Sequence, residues 1–591
     1  MSFHASQSAD LGIATVLWTF VSGFRMDLSF ATYLSLLPAL LIIVFNDGAL
    51  CKKVIKIYTA IGLFFLNLLM LVDMQLYQHW QFRLDATLMR YMNTPKDMLA
   101  SNTNLEIILF VILLIGLTWA FVYGYSRIFK KSQQANQRTR KEIPFSLSAI
   151  LLLGIFLRGG VQEIPLNQSN VYFSNKPFAN HAAVNFAWNF LHSVLKNSKH
   201  TKNHFALLGK EEAANLLAAQ RTKRTSPDSL QQRILKKDTP NVILIIWESF
   251  TAKVVEPLGG EAEITAHFNA LTKEGILFSN FYANGDRTDK GLVAILSGYY
   301  PQPNASILKM PKKSQQLPTL TAEMAKKGYH NSFFYGGDLN FANMYSYLLG
   351  KEIPTIINRN DYKTNSSSAN SKWGVYDHLV FDSLVTYLTK TEKEPFFSTL
   401  MTLSSHEPFD IPIDYKFGKG DDVELFRSSL AYTDQSLGDF IAKAKLQPWW
   451  DNTLIIILAD HGHRNPPRDE GYNPPSQYHI PMLWLGGALQ VKDTVISNIG
   501  AQSDVAYTLL DLLKNEGSAK FPFSNNILEP SPNHYAHYIF NHGFGTVCEN
   551  GFVTYDYTNK KVIQQQGEKA AEIERLGKAI TQQAYQDFLD R

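Results

Sequence analysis

Cysteine is almost missing from this chain: 591 residues contain two, Cys51 and Cys548. They stand near opposite ends, so neither a disulfide framework nor a cysteine-based zinc site can be built, and any metal must be held by oxygen and nitrogen. Charge imbalance is nearly missing too. At a net +4, with no basic patch that recurs among aromatics in the second half, nucleic acid is excluded as a partner. A cleavable leader is not expected either, because no Lys or Arg precedes the first apolar run and Arg25 and Asp27 follow it where small residues belong. A single ordinary domain is excluded by length.

What the chain does have is unevenly placed. Apolar residues concentrate in the first 160 positions, in five runs at about 11–24, 28–45, 57–73, 105–124 and 143–158. The run from Leu105 to Gly124 carries one charge, at Glu106; the first and last runs are near the lower limit for crossing a bilayer. A buried helical core is the other reading, but five runs in succession with alternating loop charge favour a membrane domain over residues 1–160. Arg127, Lys130, Lys131, Arg138, Arg140 and Lys141 crowd one loop and Lys52 and Lys53 another, whereas Arg83, Arg90 and Lys96 are offset by Asp85 and Asp97. The basic loops read as cytoplasmic, which places the amino terminus inside and everything after Gly159 outside. Residues 161–240 are polar, with helix-like patches at 182–195 and 210–219, and read as a juxtamembrane connector whose amphipathic parts lie on the membrane or pack on the soluble domain.

From Asn241 onward strands alternate with helices. Strands are expected at 241–247, 276–282, 331–335, 395–400, 454–458 and 481–485, and helices at 265–273, 290–297, 318–327, 377–390, 424–444 and 501–513. That rhythm predicts a mostly parallel sheet covered on both faces, over residues 241–530. Residues 531–591 are expected to form a hairpin at 538–563 and a terminal helix, packed on the preceding domain.

Two β-branched runs end abruptly in candidate ligands: Asn241 to Trp247 is followed by Glu248, and Thr453 to Ala459 by Asp460 and His461. In open α/β sheets, sites form at the carboxyl edge of the strands, so residues distant in sequence can converge there. Between them, Gly285-Asp286-Arg287-Thr288-Asp289-Lys290-Gly291 is a polar turn opening a helix, where positive potential favours an anionic nucleophile. Glu248, Thr288, Asp460 and His461 together offer three oxygens and one nitrogen, a set suited to Mn²⁺ or Zn²⁺. Such an ion would activate the threonine hydroxyl and neutralise an attacked phosphoryl group. Taken singly, Glu248 and Thr288 read as well as helix caps; the conjunction carries the metal reading.

The spread of Trp247-Glu248-Ser249, Asp286 to Gly291, Ser405-His406-Glu407-Pro408-Phe409 and Ala459-Asp460-His461-Gly462 resembles the lipoteichoic acid synthase type of membrane-bound phosphoglycerol transferase, in the alkaline phosphatase and sulfatase superfamily. The resemblance implies about five transmembrane helices followed by an α/β sulfatase-like extracytoplasmic domain in a bacterial cytoplasmic membrane. It implies Thr288 as nucleophile, one divalent ion (Mn²⁺, with Zn²⁺ or Mg²⁺ as alternatives) on Glu248, Thr288, Asp460 and His461, and His406 on the substrate phosphate or glycerol. It further implies phosphatidylglycerol as donor and a glycan, glycolipid or glycerol-phosphate acceptor. The substrate-reading Trp and Arg of characterised synthases are absent from Tyr335 to Asn343, where Asp338 and Asn343 are candidate replacements. His463 and His479 are further substrate-binding candidates, although an ordinary hydrogen-bonded role at a strand start is the commoner fate of a residue like His479. The rivals are a phosphoethanolamine transferase, disfavoured by the missing ectodomain disulfides and by Glu248-Ser249-Phe250, and a non-catalytic glycan- or lipid-binding membrane protein. A sulfatase activity is disfavoured because the nucleophile region lacks the Cys or Ser followed by Pro and Arg.

Overall fold

The computed structural model describes residues 4, 8–9, 11–45, 48–80, 83–86, 88–91, 104–132, 143–174, 176–197, 202–220, 234–362, 371–391 and 393–591. It divides into two compact units, Met1–Thr201 and Lys202–Arg591. The expected connector 161–240 is thus split between them. The basic-loop residues Arg138, Arg140 and Lys141, with Lys96 and Asp97, lie outside the described residues.

The first unit contains α1 (Ile13–Phe45), α2 (Ala49–Trp80), α3 (Asn104–Ser132) and α4 (Ile143–Arg158). Among the described residues, three helices are long and apolar enough to cross a membrane: Ile13–Phe45, Ala49–Tyr77 and Leu105–Ile128. Against an expected count of about five, the runs 11–24 and 28–45 are one continuous helix. No glycine or proline lies between Phe24 and Leu28 to break it, and its two charges find partners. Arg25 donates to the Gly159 carbonyl at 2.6 Å and to the Gln162 side chain, and Asn185 donates to Asp27 at 2.7 Å. The polar interruption that hydropathy reads as a loop is therefore a contact point. α4 has 16 residues, about 24 Å at the usual helical rise.

Two short helices, α5 (Pro177–Ala183) and α6 (Phe186–Asn197), also belong to this unit. A Cβ added at Gly23 of α1 would sit 2.6 Å from the Ala183 carbonyl oxygen, so glycine is what permits that approach. Beyond α2, Arg83 pairs with Asp73 at 2.7 Å and donates to the Val184 carbonyl at 3.0 Å. The helix-like patch of the connector is tied to α1 and α2 by these bonds.

The second unit is built on an eight-stranded sheet: β1 (Asn241–Trp247), β2 (Ile276–Phe278), β3 (His330–Tyr335), β4 (Thr355–Ile357), β5 (Phe396–Met401), β6 (Thr453–Ala459), β7 (Met482–Leu485) and β8 (Thr494–Ile496). The spatial order is β4-β3-β5-β1-β6-β7-β2-β8. All pairings are parallel except those of β7. β1 and β6 are buried along their whole length, as their unbroken β-branched runs require. Their register sets Trp247 opposite Ala459. Glu248 and Asp460, the next residues, consequently emerge side by side at the carboxyl edge.

The expected strand 276–282 is divided. Phe281–Tyr282 leaves the main sheet and pairs with Gly500–Ala501. The expected hairpin at 538–563 is a four-stranded antiparallel meander, β9 (Tyr535–Phe540), β10 (Gly543–Cys548), β11 (Gly551–Asp556) and β12 (Lys561–Gln566), backed by a terminal helix Ala570–Asp590.

The helix that opens the polar turn, α7 (Thr288–Ser297), is buried at every position. A Cβ added at Gly291 would overlap the Asp460 carbonyl oxygen, which is backbone and cannot step aside. Glycine lets α7 touch the end of β6. Gly291→Ala is expected to cost about 1–3 kcal/mol of stability, read as a fall of a few degrees in the thermal midpoint of the full chain in detergent.

Candidate functional site

Glu248 and Asp460 leave the ends of adjacent strands with relative exposures of 2% and 0%. His461 follows directly, and one ligand atom from each of Glu248, Asp460 and His461 lies within 4.8 Å of the others. His461 Nε2 is 3.4 Å from Glu248 Oε1 and 3.5 Å from Asp460 Oδ2. Thr288, at the first turn of α7, donates its hydroxyl to Glu248 Oε2 at 3.3 Å. The four residues are thus brought together although they span more than 200 positions of sequence.

The surrounding residues hold the carboxylates still. Ser249 sits at φ 59°, a left-handed conformation unusual for a side chain-bearing residue. In that conformation its N–H donates to Asp460 Oδ1 at 2.8 Å and its hydroxyl to Glu248 Oε1 at 2.8 Å. Thr402 accepts from the Glu248 N–H, Ser405 donates to the Glu248 carbonyl, and Gln502 donates to the carbonyls of Ala459 and Asp460. Sequence reading missed Ser249, Thr402, Ser405 and Gln502 as supports. Ser249 and Ser405 lie inside the motifs already singled out; Gln502 has no local signal at all.

Burial works against both carboxylates, and the balance differs. Although burial alone would raise Glu248, hydrogen bonding and charge from His461, with His406 nearby, pull it down to about 2. Asp460 is pushed up to about 7 by burial and by the Glu248 charge. His461 rises to about 10 because Asp460 and Glu248 outweigh its burial. The cluster therefore draws positive charge to the point between these three side chains.

The loop after β5 carries His406. It is anchored by the buried Asp377, which accepts from Leu403 N at 2.7 Å, Ser404 N at 3.1 Å and the Thr433 hydroxyl at 2.7 Å. His406 Nδ1 donates to the Glu407 carbonyl at 2.8 Å, and Trp373 meets the ring at a centroid distance of 5.2 Å. The loop after β6 carries His463, whose ring stacks on Phe426 at 4.1 Å. The buried Lys253 fastens that loop by donating to the carbonyls of Arg464 and Pro466. Burial first, then the charge of the neighbouring His461, lowers His463 to about 3.

The remaining candidates are differently engaged. Asp338 accepts from the backbone and side-chain nitrogens of Asn340, closing a turn. Asn343 is buried at φ 64° and donates to the Lys309 carbonyl at 3.3 Å. His479 donates from Nε2 to the Ser279 carbonyl at 2.8 Å and stacks on Tyr282. None of these three belongs to the acidic and imidazole cluster.

The sulfatase family matches residues 240–515 of this chain. The chain is 24% identical over 342 residues to the lipoteichoic acid synthase-like YvgJ of Bacillus subtilis, covering 54% of this chain and 53% of that protein. It is 28% identical over 268 residues to the lipoteichoic acid synthase of Staphylococcus saprophyticus, covering 43% and 41%. The chain therefore spans about half or less of the length of these curated relatives. Among solved structures, a protein in the alkaline phosphatase superfamily from Vibrio parahaemolyticus superposes with a TM-score of 0.55 at 25% identity, over 65% of this chain and 98% of that one. The lipoteichoic acid synthase LtaP from Listeria monocytogenes superposes with a TM-score of 0.53 at 19% identity, over 64% and 98%, a likeness of fold alone. The acidic edge of a mostly parallel sheet, the sulfatase match over residues 240–515 and these relatives together support a domain of the alkaline phosphatase and sulfatase type, similar to that of the lipoteichoic acid synthases.

Proposed function

We propose that this protein is a metal-dependent phosphoglycerol transferase that moves phosphoglycerol from phosphatidylglycerol to a glycan or glycerol-phosphate acceptor through an ester on Thr288, at the outer face of a bacterial cytoplasmic membrane. The observation that carries the reading is the Thr288 hydroxyl, 3.3 Å from a buried carboxylate that shares its pocket with Asp460 and His461. The names of the curated relatives support the substrate class.

The residues fit a divalent cation. Asp460 Oδ2 is buried and accepts no hydrogen bond, an expensive arrangement for a carboxylate oxygen unless something positive faces it. Glu248, Thr288, Asp460 and His461 would hold the ion. When bound, it supplies Lewis acidity, lowering the pKa of a nearby hydroxyl and neutralising phosphoryl charge.

The chain's own groups do the rest. Thr288 Oγ1 bonds to phosphorus while the bond from phosphorus to the diacylglycerol oxygen breaks, and His406 passes the threonine proton to the departing diacylglycerol. An acceptor hydroxyl then bonds to phosphorus, its proton leaves through His406, and the bond to Thr288 breaks as Thr288 regains a proton. The amino-terminal turn of α7 faces negative charge at the same place with its unsatisfied N–H groups. Arg287, exposed beside Thr288, offers a guanidinium near the phosphate that the 338–343 segment does not provide.

Two experiments test this reading. Full-length protein with Mn²⁺ and phosphatidylglycerol is expected to release diacylglycerol and to gain a phosphoglycerol mass that Thr288→Ala lacks. An adduct only with phosphatidylethanolamine would overturn the head group, and no reaction with either lipid would overturn the transferase. Separately, Mn²⁺ is expected to raise the thermal midpoint of the wild type but not of Asp460→Asn. Because His461 would have to give up a proton to hold the ion, the ion's affinity is expected to rise with pH, as titration calorimetry at two pH values will show.

A further inference from the structure

Three histidines stand on the loops that follow β5 and β6, and the backbone sets each tautomer. A neutral imidazole has one N–H and one lone pair, so whatever bonds the inner nitrogen decides what the outer one presents. His461 Nδ1 faces the Gly462 carbonyl at 2.8 Å and must donate, so the neutral form of this ring, once Nε2 has given up its proton, has its lone pair on Nε2, toward Glu248 and Asp460. His406 Nδ1 faces the Glu407 carbonyl at 2.8 Å and must donate likewise, leaving Nε2 able to accept a proton. His463 is the reverse case. Its Nδ1 receives the backbone N–H of Asn465 at 3.1 Å, so the ring hydrogen is forced onto Nε2.

We infer that His463 is a dedicated hydrogen-bond donor to a non-bridging phosphoryl oxygen of the substrate and takes no part in proton transfer, which falls to His406 alone. Proton transfer at His463 Nε2 would require a second proton at Nδ1, where a backbone N–H already points at the ring. Turning the ring over would keep its stack on Phe426 at 4.1 Å and its edge contact with Phe409 at 6.2 Å but would set a ring C–H against the Asn465 N–H, which would lose its acceptor. His463 Nε2 has no hydrogen-bond partner among the described residues and is not sealed in the interior. It follows His461 by two positions and so lies on the same loop as the proposed ion ligand. No electron pair moves through it; it donates one hydrogen bond, before and during the attack by Thr288.

This assignment rests on the transferase reading, and glutamine substitutions separate the two. The amide nitrogen of Gln reaches the place of a histidine Nε2 and donates there, but it cannot carry a proton between substrates. In the full chain loaded with Mn²⁺, glycerol 3-phosphate binding is expected to weaken about 10- to 100-fold in His463→Ala and to stay within about threefold of wild type in His463→Gln. Diacylglycerol release from phosphatidylglycerol is expected to survive in His463→Gln and to fall at least ~100-fold in His406→Gln. Binding as weak in His463→Gln as in His463→Ala, unchanged binding in His463→Ala, or loss of turnover in His463→Gln with binding intact would each overturn the inference. A wild type that binds glycerol 3-phosphate but releases no diacylglycerol would instead overturn the transferase reading, with the binding comparison still deciding the donor role. Equal thermal midpoints of the variants guard against misfolding as the cause.

Discussion

Two carboxylates share a nearly dry pocket at the ends of neighbouring strands, and the rest of the second unit is arranged around that fact. Like charges this close and this buried repel each other, and water is not there to screen them. Asp460 shows the consequence most directly, being pushed up to about 7 by burial and by Glu248. The strain at Ser249, the close approach at Gly291 and the two bonds from Gln502 are all spent on keeping this pair together. Such expense is characteristic of sites where charge is needed for chemistry.

The imidazoles around that pair illustrate how backbone geometry assigns chemistry to identical side chains. His406 and His461 each donate inward to a carbonyl of the next residue, whereas His463 accepts from an N–H two residues on. In its neutral form, one side-chain type thus provides two lone pairs and one N–H. Lys253 and Asp377, both buried, fasten the loops that carry these rings, through carbonyls in one case and N–H groups in the other.

In the first unit the same principle of satisfied polarity explains a continuous α1. Arg25 and Asp27 interrupt the apolar pattern, but each has a partner in the chain that follows α4, so the helix passes through them unbroken. Hydropathy counts the residues and is blind to their partners. The two short edge strands β4 and β8 escape sequence reading for a related reason: each has three residues, only partly buried, and gains strand geometry from its neighbour.

Much was legible because it is local. The β-branched runs that became β1 and β6 announce buried parallel strands, and the acid that ends each one is a signal within a few residues. The amphipathic helices and the polar turn before α7 are legible for the same reason. The sequence by itself therefore determined the membrane-like first part, the α/β character of the second and the short roster of candidates. Only the tertiary structure decided that Trp247 pairs with Ala459, that Thr288 reaches Glu248, and that Asp338 and Asn343 are engaged in turns and carbonyl bonds. It also decided which nitrogen of each histidine carries the hydrogen. These depend on strand register and on backbone groups meeting across long loops, and no window of sequence contains both partners.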